Sequence, residues 1–181
     1  MTRTPEQIFN ELLVLRCQDG ESRAFGELIE LWHERLWRHA RRLTTDPSLA
    51  DDAMQDAWMA IVRGIGRLGD PALFRPWAFR IVTYKSTDLL RRRSRRRDLD
   101  AKIASGSIPD SVVLEDDPPE IAGLRSAMAV LPSDRRALLA LHYLEELSVA
   151  EIAVVLGIPE GTVKSRLFNA RRALKKALER K

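Results

Sequence analysis

The sequence predicts an all-α protein of two helical domains joined by a flexible acidic linker. Three observations carry this reading. Apolar residues recur at three-and-four spacing along most of the 181-residue chain. No stretch shows the alternation or β-branched enrichment of strands. One segment, 98–120 (DLDAKIASGSIPDSVVLEDDPPE), breaks the helical pattern, with Ile108, Val112, Val113 and Leu114 set among Ser, Gly, Pro and acids, too few to offset the entropy of ordering. The domains are therefore expected at 1–97 and 121–181, with 98–120 as a tether of roughly 28 Å as a coil and about 80 Å at full stretch.

Taken in order, a weak helical signal runs from about Gln7 to Arg16. Phe25, Leu28, Ile29, Trp32, Leu36, Ala40 and Leu43 then form one apolar stripe on a helix from about Glu21 to Leu43. Asp46-Pro47 reads as an N-cap followed by proline at the first helical position, and Ala50, Ala53, Met54, Ala57, Ile61 and Ile65 face inward on the helix it opens, which runs to about Gly64. Gly64, Gly66, Gly69 and Asp70-Pro71 mark a loop. A helix from about Pro76 carries Trp77, Ile81, Val82 and Leu89 before running into the arginines 91–97. Beyond the tether, Leu124, Met128 and Leu131 precede Pro132-Ser133, and Ala137, Leu138, Leu141 and Leu144 continue on a second helix. Ser148 with Glu151 is a capping box for a short helix carrying Ile152, Ala153 and Leu156. Gly157-Ile158-Pro159 is a turn, and Gly161-Thr162 starts a last helix to about Leu178.

Charge is unevenly placed. Residues 1–97 carry net +5, 98–120 net −6 and 121–181 net +5, so two basic bodies flank an acidic segment. That is the footprint expected for a polyanion partner, with a solvated helix face as the plainer alternative. The longest apolar runs fall far short of the roughly 20 residues a membrane span needs. The opening Met-Thr-Arg-Thr-Pro-Glu has no apolar stretch behind its charge, so no secretory signal is expected. A single cysteine, Cys17, fits a reducing, cytoplasmic setting. It reads as a small helix-packing residue, with a redox sensor as the alternative. His33, His39 and His142 do not group with Cys17 or with carboxylates at metal-ligand spacing. No glycine-rich phosphate loop or nucleophile elbow is present, so neither catalysis nor a metal or other cofactor is expected.

The informative constellation is short helix, glycine turn, second helix, the helix-turn-helix pattern. On the last helix Val163, Leu167, Ala170, Leu174 and Leu178 fall within about 80° of one another and form the inward stripe. Thr162, Ser165, Phe168, Asn169, Arg172 and Lys176 occupy the opposite side, flanked by Lys164 and Arg166. That face holds hydroxyl, amide and cationic groups with no acid, able to donate to base edges and phosphates in a major groove.

The stretch "LSVAEIAVVLGIPEGTVKSRLFNARRAL", extended upstream through "LPSDRRALLALHYLEELS", closely resembles region four of extracytoplasmic-function (ECF) sigma factors, the DNA-binding end of that family. In the first domain "LADDAMQDAW" resembles the sigma region two helix that binds core RNA polymerase, and "FRPWAFRIVTYKSTDLLRRRSRR" the helix that reads and melts the −10 element. The resemblance implies core polymerase (β′ clamp helices and β flap) and promoter DNA as partners, an anti-sigma protein as a further one, and no catalysis by the chain itself. It assigns Asp52, Gln55 and Asp56 to polymerase docking, and the outer face of the last helix to the −35 element. To the −10 region it assigns Arg75, Arg80, Thr83, Lys85, Arg91 and Arg92, with Phe74 and Phe79 as candidate stacking platforms, although core packing is the commoner role for such rings. The loop Gly66 to Arg75 is where the family holds an unstacked base. Tyr84 is a departure, since the family commonly has asparagine there, while its aspartate four residues on is present as Asp88. The family linker threads the polymerase cleft, a role the acidic tether would inherit. The competing reading is a helix-turn-helix regulator acting as a dimer without being a polymerase subunit, and a third is a sigma-like adaptor that binds only an inhibitor protein.

Overall fold

The computed structural model describes residues 3–44, 46–100 (backbone only from 96), 123–124, 126–128 and 130–179. Among these residues the regular structure is helical throughout: α1 (Pro5–Gln18), α2 (Ser22–Thr44), α3 (Pro47–Gly64), α4 (Phe74–Asp100), α5 (Ser133–Tyr143), α6 (Val149–Leu156) and α7 (Glu160–Glu179), with two short 3₁₀ turns, Ile65–Arg67 and Pro71–Leu73, between α3 and α4. Beyond Asp100 the expected tether lies outside the described residues, and α4 runs three residues past the expected domain boundary at 97.

Local chemistry explains the starts. The Thr4 hydroxyl accepts from the Gln7 amide, and the Gln7 side chain accepts from the Thr4 amide, a reciprocal cap on α1. Asp46 accepts from the Ser48 amide at 3.0 Å at the head of α3 and also takes Arg93 Nη1 of α4 at 2.5 Å. That guanidinium holds the Asp46 carboxyl below its ordinary range. Ser148 and Glu151 form the expected box on α6, and Gly157 closes that helix in the left-handed region at φ 65°.

The first four helices pack around Leu13, Val14, Leu28, Trp32, Leu36, Met54, Ile61, Phe74, Phe79 and Val82. Leu138, Leu141, Ile152, Val155, Val163 and Leu167 fill the second helical unit. The two units are not separate: α5 lies against α2 and α6 against α4, and the buried apolar side chains form one connected cluster. Five inward positions differ from the sequence expectation. Ile29 and Leu178 are exposed. On α4 the fully buried face is Phe74, Ala78, Phe79, Val82 and Ser86, leaving Trp77, Ile81 and Leu89 half-buried. That helix carries two apolar stripes, and the one with both phenylalanines is buried against Trp32 and His39 of α2.

Candidate nucleic-acid interface

α7 presents the outer face anticipated for it. Lys164, Ser165, Arg166, Phe168, Asn169, Arg172 and Lys176 are exposed and Thr162 is half-buried, while Val163, Leu167 and Ala170 are fully buried against the rest of the unit. The Ser165 hydroxyl donates to the Thr162 carbonyl at 3.0 Å, so its oxygen is oriented along the helix. The Arg172 guanidinium sits 5.7 Å from the Phe168 ring centre, which orders a cation on an exposed aromatic plane. Among the described residues the one ion pair on α7 is Lys175–Glu179 at 3.7 Å, so most of its cations are available for phosphates.

On the first unit, Phe74 and Phe79 are wholly buried. Their rings stand edge-on to Trp32, with centroids 5.6 and 6.5 Å away, and Phe79 also meets His39 at 5.2 Å. No base can reach either ring, so the stacking role considered for them is corrected to core packing. The exposed aromatic surface lies one turn over. Trp77, Arg80, Ile81, Tyr84 and Lys85 of α4, with Ala60 of α3, line a cavity of about 380 Å³, and Tyr84 is 63% exposed at its rim. Arg80 and Lys85 thus sit beside Trp77 and Ile81. Gly64 belongs to this wall: a Cβ there would meet Trp77 Cζ2 at 3.0 Å, so glycine lets the indole lie against the end of α3. The loop 66–73 is pinned from below, with Gln18 Nε2 donating to the carbonyls of Ile65 (2.9 Å) and Leu68 (2.8 Å).

Thr83 is turned elsewhere. Its hydroxyl donates to the Phe79 carbonyl at 2.7 Å, so its oxygen accepts from His39 Nε2 at 2.8 Å. His39 is fully buried, which pushes its pKa down to about 3, with Arg42 adding to the effect, so the ring is neutral. Arg91 and Arg92 are exposed, Arg92 pairing with Asp88 at 2.7 Å.

Asp52, Gln55 and Asp56 are exposed on one face of α3, Asp56 lying 3.9 Å from Lys85. Two residues absent from the sequence reading continue that face, Met59 at 46% and Val62 at 45% exposure. Their spacing from Asp52 and Gln55 is helical, but only the packing shows that this second apolar row points outward. Asp51, by contrast, accepts from Trp37 Nε1 at 2.7 Å.

Arg75 does not line the cavity bordered by Trp77 and Tyr84. It is half-buried where α4 meets the second unit, and burial lowers its pKa while the carboxylates of Glu151, Glu145 and Glu146 oppose that. Glu145 itself, missed from sequence, is buried and lies 3.1 Å from Arg35 and 3.6 Å from Arg42 of α2. Cys17 is buried and its thiol is pushed up to about 11, which favours the packing reading over a reactive one.

An all-helical chain whose last helix follows a glycine turn and carries an acid-free, donor-rich outer face is, by class, a helix-turn-helix DNA-binding protein. Residues 28–96 match the family described as Sigma-70 region 2, and residues 121–174 match Sigma-70, region 4. The RNA polymerase sigma-H factor of Pseudomonas aeruginosa is 33% identical over 187 residues, covering 97% of this chain and 96% of that protein. The ECF RNA polymerase sigma factor SigW of Bacillus subtilis is 27% identical, covering 91% and 94%. Among solved structures, CnrH in complex with the cytosolic domain of CnrY is similar with a TM-score of 0.66 at 27% identity, covering 94% of this chain and 97% of that one. The chain belongs to the sigma-70 family and is an ECF sigma factor. Among the described residues no helix is long and apolar enough to cross a membrane.

Proposed function

We propose that this sigma factor acts in the cytoplasm by docking core RNA polymerase through Asp52, Gln55 and Asp56 on α3, with Met59 and Val62 as apolar flanks. It then reads a −35 element with the outer face of α7 and a −10 element with α4, and performs no chemistry itself. The observation that carries the −35 assignment is the acid-free exposed face Lys164–Lys176 set on a buried Val163–Leu167–Ala170 spine. At the −10 element Tyr84 and Trp77 supply aromatic surface, and Arg80 and Lys85 supply charge. Stacking an unpaired base there contributes about 1–3 kcal/mol, enough to offset a few kcal/mol of unstacking when joined by phosphate contacts. Arg91 and Arg92 reach the flanking backbone. The linker follows the polymerase cleft. CnrH was solved with the cytosolic domain of CnrY, and a comparable anti-sigma protein is the further partner proposed for this chain.

Run-off transcription with purified core enzyme on a randomised promoter library tests this directly. Enrichment of two spaced elements is the expected result. Arg172→Ala should relax the upstream element while leaving core binding intact, Tyr84→Asn should change preference in the downstream one, and Asp56→Arg should weaken core binding itself. A library that returns a palindrome, or no defined start, would favour a dimeric regulator instead.

A further inference from the structure

The cavity of about 380 Å³ between α3 and α4 has one-sided hydrogen-bonding chemistry. Its apolar surface comes from Ala60, Ile81 and the rings of Trp77 and Tyr84. Its polar groups are the Trp77 indole N–H, the Arg80 guanidinium, the Lys85 ammonium and the Tyr84 hydroxyl. The first three can only donate, and the phenol alone can also accept. The backbone adds no acceptor, because Ala60 lies inside α3 and residues 77–85 inside α4, where carbonyls are engaged in the helix ladder. Asp56 is outside the lining, 3.9 Å from Lys85 Nζ. Arg80 is exposed and Lys85 half-buried, and among the described residues neither the Trp77 indole N–H nor the Arg80 guanidinium has a hydrogen bond or ion pair of its own. The donors are free to meet a ligand.

Such a lining discriminates between unpaired bases. Guanine presents two adjacent acceptors, O6 and N7, on one edge, whereas adenine sets its N6 amino donor beside N7. In a site built of donors the adenine amino group meets cations and has only the phenol to donate to, and a desolvated donor left unmatched is costly. The two purines share shape and stacking area, so hydrogen bonding alone ranks them.

We propose that this cavity selects the base it takes: it holds an unpaired guanine of the −10 strand in preference to adenine, with Arg80 and Lys85 donating to O6 and N7 while Trp77 and Tyr84 stack on the ring. This rests on the reading of α4 as the −10 helix. Arg80 and Lys85 then read a base edge as well as supplying charge, and they are the specificity residues of the site.

Holoenzyme binding to a promoter already opened over the −10 element, followed by fluorescence anisotropy, removes the cost of melting from the comparison. Each single-stranded position of the element recovered from the library is filled in turn with guanine, hypoxanthine, 2-aminopurine or adenine. At one position guanine should bind about tenfold more tightly than adenine, the size expected of a bidentate base contact. Hypoxanthine, which keeps O6 and N7, should match guanine there, and 2-aminopurine, which lacks the carbonyl, should bind like adenine. Lys85→Gln should bring the guanine-to-adenine ratio at that position close to one, and Lys85→Arg should keep it. The ratio is internal to each variant, so a change in core binding through Asp56 does not enter it. A cation that met only phosphate would lower affinity for every base alike and leave the ratio untouched, which would overturn the proposal. Adenine preferred at the position sensitive to Lys85, or no position that tells the purines apart, would overturn it too. Replacing the whole element by an unrelated sequence tests the α4 assignment separately. Loss of binding on that change without any purine preference sinks the base choice alone, whereas no loss sinks the −10 reading with it.

Discussion

α4 and α7 are both long, arginine-rich helices, yet they spend their charge differently. On α4, Arg93 closes the cap of α3 through Asp46, Arg92 pairs with Asp88, Lys85 approaches Asp56, and Arg75 is half-buried in the field of Glu151, Glu145 and Glu146. On α7, among the described residues, only Lys175 is paired, with Glu179 one turn away, and Lys164, Arg166, Arg171, Arg172 and Lys176 stand exposed. The aromatics divide in the same way: Phe79 is wholly buried and Phe168 is 58% exposed. A basic, aromatic-bearing helix thus pairs much of its charge within the fold in one unit and leaves most of it exposed in the other. The balance of partners, more than composition, decides which.

The sharpest way to break this contrast is to truncate one ring on each helix. Phe79→Ala should lower folding stability by about 3–5 kcal/mol through lost burial and a cavity beside Trp32 and His39. Phe168→Ala should cost less than about 0.5 kcal/mol, as surface changes do. Urea titrations of the two variants compare them directly, and similar midpoints would erase the distinction.

A medium effect separates the cations. Lys164→Ala should weaken promoter binding by the holoenzyme and flatten the dependence of log affinity on log salt by about one unit. Arg93→Ala should leave that slope alone and cost about 1 kcal/mol or less of stability, because its partner is a part-exposed carboxylate at a helix cap. A salt series from both variants tests this, and a changed slope with Arg93→Ala would place Arg93 among the phosphate contacts.

The smallest effect is a pH dependence confined to the first unit. His39 in the folded chain has its pKa lowered from 6.5 to about 3, so the unfolded chain binds the extra proton first as pH falls. Stability attributable to this ring is fully present above the unfolded value of 6.5 and is lost as pH falls towards the folded one. His39→Gln should remove that slope in denaturation measured from pH 7 to pH 4, and an unchanged slope would show that other groups carry it.

Much of this was legible without coordinates. The N-cap at Asp46, the capping box at Ser148 and Glu151 and the turn at Gly157 follow from rules that involve only a few neighbouring residues, and each sits where expected. The outward face of α7 was legible too, because its polar and apolar residues segregate around one helix and a single stripe leaves one way to pack. α4 was harder. Its large apolar side chains at 74 and 79 and at 77 and 81 offer two faces, and periodicity alone cannot rank them. Arg75 and Glu145 were out of reach for a stronger reason, since their partners are far along the chain.

What the sequence alone determined is the set of helices, their caps, the segregated cationic face near the C-terminus and the family to which such motifs belong, all short-range consequences of backbone geometry and side-chain spacing. The tertiary structure alone decided which α4 aromatics are buried, that Trp77 and Tyr84 border a cavity, and that Glu145 meets Arg35 across 110 positions of sequence. Those outcomes depend on competition between surfaces for the same space and on the balance between desolvating a charge and pairing it, and neither is defined until distant segments meet.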